Sequence, residues 1–401
     1  MDFLLQILFW ASLAGIAHSY LFYPLLLNIL SKRNGSISTL QRQQDTGRLR
    51  VSVLISAHNE ERVLGQKLDS IAFSGYPMDQ VEVYLGSDGS TDATNVIAKA
   101  YAEKYPWLHF FPFEQRRGKP ELINQLASIA IENKSQDPDH IFVITDANVL
   151  FTPSTLPHLL RHFADPTIAV VDSQIVPEGL QEEGISRAEH RYISREALLK
   201  YHEGQIWGAM IGPFGGCYAI RATYFSPVPP NFLVDDFYIV LKALEKGGKA
   251  ISDPAALCIE GATHSIGTEF RRKQRIGAGN FQNMFVFKHL WYPPWKSGLH
   301  FAFFSHKVLR WISPHLLLLA LFSTLILSVN GNRLYGVLLL IAAMGIIGVP
   351  TLDWVFKKLG IQFLPLRGIR YFLWMNAALF MGWIHYLKGI KTNVWQPTQR
   401  N

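Results

Sequence analysis

Hydrophobic and polar positions fall into three regimes along this chain. Residues 3–30, FLLQILFWASLAGIAHSYLFYPLLLNIL, carry no acidic or basic side chain. About 20 apolar residues suffice to cross the hydrocarbon layer as a helix, so the pattern predicts a retained N-terminal span within residues 1–32. A cleaved signal peptide fits less well: a basic leader and a small-residue cleavage site are missing, and the apolar run is too long. From residue 48 short β-branched runs alternate with helical spacing. Strands are predicted at 49–57, 81–87, 109–114 and 140–147, and helices at 60–75, 92–105 and 120–133. This β-α-β-α-β-α-β order predicts an α/β domain over residues 48–290, a mostly parallel sheet covered by helices on both faces. Such sheets bind ligands at the carboxyl ends of their strands. The third regime, 291–390, is apolar again. HFAFFSHKVLRWI (300–312) mixes aromatic and basic residues as an interfacial helix does. Leu316–Val329 is the clearest further span, and Leu334–Val349 and Tyr371–Leu387 are the next candidates. Residues 391–401 form a short polar tail.

Composition follows this division. The chain has 401 residues, 49% hydrophobic and only 17% charged, because the flanking regimes are so apolar. The net charge of +7 taken alone suggests nucleic acid, but the basic residues cluster beside the apolar segments, at Lys288, Lys296, Lys307, Arg310, Lys357, Lys358, Arg367 and Arg370. Anionic headgroups attract residues so placed, which points to membrane lipids and away from nucleic acid. Lys32, Arg33, Arg48 and Arg50 follow the first span and place the central domain in the cytoplasm, so the chain is expected as a multi-pass protein of the cell (inner) membrane. Lys388, Lys391 and Arg400 also favour the inside. Three crossings after a cytoplasmic domain would leave the tail outside, so one apolar segment is expected to be interfacial or re-entrant. The two cysteines, Cys217 and Cys258, suit a reducing compartment and lack metal-ligand spacing; they read as small buried residues in strands.

The candidate chemistry lies at the predicted strand tips. The first ends in AHNEE, with Ala57, Asn59, Glu60 and Glu61. The second ends in SDGSTD, with Asp88 and Asp92, and the fourth in TDAN, with Asp146 and Asn148. A turn alone accounts for Asp and Asn after a strand, since both bond their own backbone. Three tips bearing carboxylates on one sheet edge repel, however, unless a cation or hydrogen-bond donors sit among them. Mg²⁺ favours one or two carboxylates together with phosphate oxygens. The common phosphate-cradling glycine loops are absent. Glu61 and Asp92 also fit as favourable charges in first helical turns.

Taken in order, VSVLISAHNEE, SDGSTD, RRGKPELIN, TDAN, VDDF and EFRRKQRIGAGNFQ resemble the motifs of membrane-bound family 2 glycosyltransferases over about residues 50–310. These are inverting enzymes with a GT-A nucleotide-sugar fold, related to cellulose, hyaluronan, chitin-oligosaccharide and poly-N-acetylglucosamine synthases; the C-terminal VWQPTQR is similar to the tail of bacterial members. The resemblance implies a nucleotide-sugar donor, expected to be UDP-linked, held by Ala57, Asn59, Glu60, Asp88, Lys119, Asp146 and Arg272. It implies that Asp88 accepts from a uracil, and that Asp146, with Asn148 in place of the usual second aspartate, holds Mg²⁺ or Mn²⁺. It makes Asp236 the general base, with Asp235 the alternative, and gives Arg275 the role of stabilising the leaving diphosphate. Phe214, Gly215 and Gly216 fall near the acceptor end, where the glycines admit a sugar or simply make a turn. Arg116 and Arg117 read equally as solvated charge, and His264 as structural.

The acceptor implied is a lipid-linked saccharide or a growing polysaccharide. One alternative is a processive synthase that also secretes its polymer, although those carry Gln-x-x-Arg-Trp where this chain has Arg272, Arg275 and Ile276. Another is a non-catalytic sugar-nucleotide-binding scaffold or transporter, suggested by Asn148.

Overall fold

The computed structural model describes residues 1–34, 49–132, 137–178, 185–261, 266–359 and 364–393. Arg48, His264 and the VWQPTQR tail motif lie outside the described residues. The chain divides into two compact units. One comprises Leu30–Leu180, Glu196–Ser265 and Ile390–Asn401; the other comprises Met1–Ile29, Gln181–Arg195 and Ile266–Gly389.

The first unit is built on an eight-stranded sheet of order β3-β2-β1-β4-β7-β6-β8-β5. Its parallel half is β1 (Arg50–Ala57), β2 (Val81–Asp88), β3 (Leu108–Phe113) and β4 (His140–Asp146), as the alternating pattern predicts. These runs are apolar at successive positions because both faces are covered. Val51, Val53, Ile55, Val83, Leu85, Ile141 and Val143 form one core with Leu64, Leu68 and Ile71 of the helix Leu64–Ala72. Leu54, Tyr84, Phe142 and Ile144, also buried, face the other way. Helix Lys119–Glu132 buries Leu122, Ile123 and Leu126, and Leu122 comes so close to β2 that only a glycine fits at Gly86.

The helix expected from residue 60 begins at Leu64. Glu60–Val63 is instead a turn held by the next connection: the Glu61 amide donates to Asp92 (3.2 Å), and the Glu61 carboxylate accepts from the Ala93 amide (3.0 Å). Asp92 also accepts from Thr94 at the start of helix Thr94–Lys104 (3.0 Å), and hydrogen bonds from Thr94 and Glu61 hold its pKa below the ordinary value despite partial burial. Both acids therefore brace loops. The sheet's other half, β5 (Val149–Phe151), β6 (Ile168–Glu178), β7 (Cys217–Arg221) and β8 (Lys249–Gly261), mixes antiparallel with parallel pairs. Cys217 and Cys258 are buried free thiols on β7 and β8, as expected.

The second unit is helical. Asp2–Arg33 and Arg333–Phe356 are long and apolar enough to cross a membrane; a third crossing exists if Gly298–Trp311 and Ser313–Val329, bent by 60°, count as one. Tyr371–Leu387, expected as a span, belongs to helix Leu364–Leu387, which falls outside this set among the described residues. The reason lies in its composition, which mixes Arg367, Arg370, Asn376 and His385 with the apolar residues. Asn376 is buried and accepts from the Ser313 hydroxyl (2.5 Å), and Gly382 sits against the backbone of Gln274 and Gly277 on helix Ile266–Val286. A Cβ there would lie 2.8 Å from the Gln274 carbonyl oxygen.

Candidate active site

Parallel pairing puts the tips in register: Ala57 faces Ser87, Ser56 faces Asp146, and Asp88 ends β2. Ala57 is buried beneath the turn it leads into. Asn59 takes a left-handed φ of 55°, a conformation Asn tolerates better than most residues, and its side-chain oxygen accepts from the Thr91 amide (2.8 Å). The Glu60 amide donates to the Thr94 hydroxyl (2.8 Å). The first two tips are thus one laced surface. Asp88 is only 3% exposed, and its two oxygens accept from the amides of Arg117 (2.6 Å) and Gly118 (2.9 Å). In this arrangement Asp88 clamps the turn that launches helix Lys119–Glu132. Gly118 has φ +91°, and its open face is filled by the Asn393 side chain. Arg117 lies 3.6 Å from Glu121 at the surface.

The clamp aims Lys119. Its ammonium reaches Asp146 at 2.6 Å and Asp235 at 4.0 Å. Burial works to lower its pKa, but Asp146 and Asp235 outweigh this and hold it above the ordinary lysine value. Asp235 and Asp236 open helix Asp235–Glu245. One Asp235 oxygen is buried without a hydrogen-bond partner. Asp236 accepts from the Phe237 amide (2.8 Å). Burial, then the neighbouring Asp235 charge, push the Asp236 carboxyl up to about 7, against the pull of Lys119 and the Phe237 amide. Tyr218, buried on β7 with its hydroxyl unpartnered, is pushed well above its ordinary value by burial and by the Asp235, Asp236, Asp146 and Asp172 charges. Asp146, Lys119, Asp235 and Asp236 therefore form one electrostatic cluster at the carboxyl end of the sheet.

The Phe214–Gly216 loop closes it. Gly215 has φ +82°, and a Cβ there would lie 2.1 Å from an Asp236 carboxylate oxygen. The glycine is required because the carboxylate occupies its side-chain space. The Gly216 carbonyl accepts from the Asp146 amide (2.9 Å) and the Thr145 hydroxyl (3.0 Å). Phe214 donates its amide to Asp172 (3.3 Å), and its ring lies under the Lys200 ammonium, 3.4 Å from the centroid. Asp172 and Lys200 are a buried ion pair at 2.6 Å; burial raises the Asp172 pKa, and Lys200 opposes this. Sequence reasoning missed this pair, whose only trace is an aspartate inside the apolar run IAVVDSQIV.

Among the described residues no three His, Cys, Asp or Glu side chains group as a self-sufficient metal site. Asn148 donates to Glu260 (3.3 Å). What stands ready is one partly exposed carboxylate, Asp146, already facing a cation in the form of Lys119. That fits a divalent ion arriving with a diphosphate, for which one or two carboxylates suffice. Arg272 and Arg275 lie on helix Ile266–Val286 of the helical unit, three residues apart and so on one face.

The mixed, mostly parallel sheet with carboxylates at its strand ends matches the GT-A fold. The family model for glycosyl transferase family 2 matches residues 52–224, and that for glycosyl transferase family group 2 matches residues 141–387. The chain belongs to glycosyl transferase family group 2. The fold is similar to that of a mannosyltransferase from Pyrobaculum calidifontis, solved in complex with GDP-Man and Mn²⁺: TM-score 0.66, 22% identity, covering 95% of this chain and 99% of that one. A probable glycosyltransferase of Bacillus subtilis, YdaM, is 37% identical over 78 residues, 19% of each chain. A beta-monoglucosyldiacylglycerol synthase of Synechocystis is 24% identical over 164 residues, 39% of this chain and 33% of the relative. The matched stretches thus span a third or less of those two relatives.

Proposed function

We propose that this protein is a membrane-bound inverting glycosyltransferase that moves a sugar from a nucleoside-diphosphate donor to a lipid-linked or polysaccharide acceptor. The observation that carries the proposal is Asp236: a carboxylate pushed up to about 7 and seated in the space of Gly215, beside Lys119 and Asp146. A base whose pKa lies near the operating pH is the most effective proton acceptor. In this reading Asp236 takes the proton of the acceptor hydroxyl as that oxygen attacks the anomeric carbon. Attack opposite the leaving diphosphate inverts the configuration. Lys119 meets charge developing on the diphosphate, where fixed cations act most strongly in the transition state, and the family resemblance assigns Arg275 the same task. Asp146, with Asn148 beside it, holds Mg²⁺ or Mn²⁺, which neutralises diphosphate charge when bound. Asn59 and Glu60 face the nucleoside end, and the buried Ala57 and Asp88 support it, Asp88 through its clamp on the Arg117 and Gly118 amides.

The apolar helices support a membrane site of action, and the basic residues after the first span support a cytoplasmic catalytic unit, with the helices crossing the cell membrane more than once. The boundaries 1–32, 48–290, 291–390 and 391–401 belong to the same reading. The named activity of the Synechocystis relative, on a glycerolipid, favours an acceptor presented at the membrane. The test is a panel of UDP- and GDP-linked sugars, offered with Mn²⁺ and membrane lipid extract to detergent-purified protein. Release of nucleoside diphosphate that depends on one sugar and on the extract is expected. Binding of a nucleotide without any turnover would favour a non-catalytic scaffold.

A further inference from the structure

Lys67 is a buried feature beneath the site that the reaction does not use. It is 0% exposed, on helix Leu64–Ala72, in a stripe otherwise made of Leu64, Leu68 and Ile71. A lysine in such a stripe is rare, because a buried ammonium needs partners for its donors. Its partners here are specific. The ammonium donates to the Thr145 hydroxyl (2.9 Å) and to the Val149 carbonyl. It also lies 3.8 Å from the centroid of the Phe151 ring. Thr145 directly precedes Asp146, and Val149 directly follows Asn148. One buried cation therefore ties together both ends of the turn Asp146–Ala147–Asn148.

The tie continues. With its lone pair occupied by Lys67, the Thr145 hydroxyl gives its proton to the Gly216 carbonyl (3.0 Å), which also accepts from the Asp146 amide (2.9 Å). Gly216 follows Gly215, whose conformation leaves the space Asp236 fills. A continuous line of hydrogen bonds and close contact thus runs from Lys67 through Thr145 and Gly216 to Gly215 and Asp236, passing Asp146 on the way.

We propose that Lys67 is a positioning residue: from beneath the Asp146–Asn148 turn it fixes the carboxylate for a divalent cation and, through Thr145 and Gly216, sets its separation from the base Asp236. The inference rests on the assignment of Asp146 and Asp236 made above. It differs from a purely structural role in what it predicts for the cation. Groups that orient a metal ligand without touching the metal typically account for about 10–100-fold in metal affinity or activity.

The experiment uses the full chain in detergent. Mn²⁺ binding in the presence of UDP is read from the loss of the free-ion EPR signal, alongside kcat, donor KM and thermal melting. Lys67→Met keeps the length and apolar volume of the stripe but leaves the Thr145 and Val149 acceptors without their donor, so a lower melting temperature is expected beside the readouts that decide the question. The expected result is Mn²⁺ affinity weakened about tenfold or more and kcat lowered about 10–100-fold, with donor KM changed less. Thr145→Val keeps the Lys67 side chain but removes both its hydroxyl acceptor and the onward bond to Gly216, so it should reproduce the kcat loss even where Lys67→Met folds poorly. Wild-type Mn²⁺ affinity and kcat in both variants, whatever their melting temperatures, would overturn the proposal. Wild-type protein that binds no Mn²⁺ with UDP would overturn the assignment of Asp146 itself, and the positioning role with it.

Discussion

Gly215→Ala isolates the link between loop geometry and the base. Two effects add at this position. Alanine at φ +82° is held in the left-handed region, costing roughly 1–2 kcal/mol. Its Cβ would also stand 2.1 Å from the Asp236 carboxylate, where contacts shorter than 3.0 Å are essentially never seen. The carboxylate must therefore retreat by about 1 Å, and a misplacement of that size near the reacting atoms costs on the order of 10²-fold in rate. Gly247→Ala is the matched control: φ is +84°, but nothing lies within 4 Å of the new Cβ. Both variants should lose similar stability by thermal melting. Only Gly215→Ala should lose about 10²-fold in kcat, measured as nucleoside diphosphate release at saturating donor. Wild-type kcat in Gly215→Ala, with the expected loss of stability, would refute the placement of Asp236 as base.

Other perturbations bear on the same cluster. Asp236→Asn should reduce transfer by about 10²–10⁴-fold while leaving donor binding largely intact; an active Asp236→Asn beside a dead Asp235→Asn would show the base to be Asp235. Because the Asp235 charge helps raise the Asp236 pKa toward 7, the acid limb of kcat/KM should move to lower pH in Asp235→Asn, and a limb that stays put or rises refutes the coupling. The sign for stability is opposite to that for activity: the raised carboxyl is accommodated neutral below about pH 4, and this contribution is lost as pH rises through about 7. Asp236→Asn should accordingly melt higher relative to wild type at pH 8 than at pH 5. EDTA should abolish turnover and Mn²⁺ or Mg²⁺ restore it, with Asp146→Ala inactive under both conditions; turnover indifferent to EDTA removes the metal assignment. Arg275→Ala should lower kcat more than donor affinity, since leaving-group charge peaks in the transition state, and an effect confined to affinity would reduce Arg275 to ground-state binding.

The parallel half of the sheet was legible because its strands are buried on both faces and its helices are amphipathic, so Val53–Ile55 and Ile141–Ile144 carry an unbroken apolar signal. The other half was not. β5 has three residues, β7 follows the glycine-rich PFGG, and β6 carries Asp172 in its middle, satisfied by Lys200 from a helix distant in sequence. Periodicity cannot foresee such a partner. Lys67 was equally hidden, although its trace is there in retrospect: a charge at a position where the spacing of Leu64, Leu68 and Ile71 demands an apolar residue. Gly215 shows the limit most clearly. Its neighbours in sequence admit a turn or a sugar contact, whereas the space it must leave open belongs to Asp236.

Asp235 and Lys119 then have a role that single-residue assignments obscure. A carboxylate at the ordinary value near 4 is a weak base at neutral pH. Asp236 becomes a stronger one through burial, through the adjacent Asp235 charge and, more weakly, through Asp146. Left unopposed, those influences would keep it protonated and useless. Lys119, 2.6 Å from Asp146 and 4.0 Å from Asp235, offsets part of the repulsion, and the Phe237 amide favours the ionised form directly. The strength of the base is thus set by a balance between one extra carboxylate and one lysine. Under the proposed mechanism Asp235 matters even though Asp236 takes the proton, and Lys119 matters to proton transfer as well as to the diphosphate. The Asp88 clamp on the Arg117 and Gly118 amides belongs to the same device, because it fixes where helix Lys119–Glu132 begins and hence where that ammonium stands.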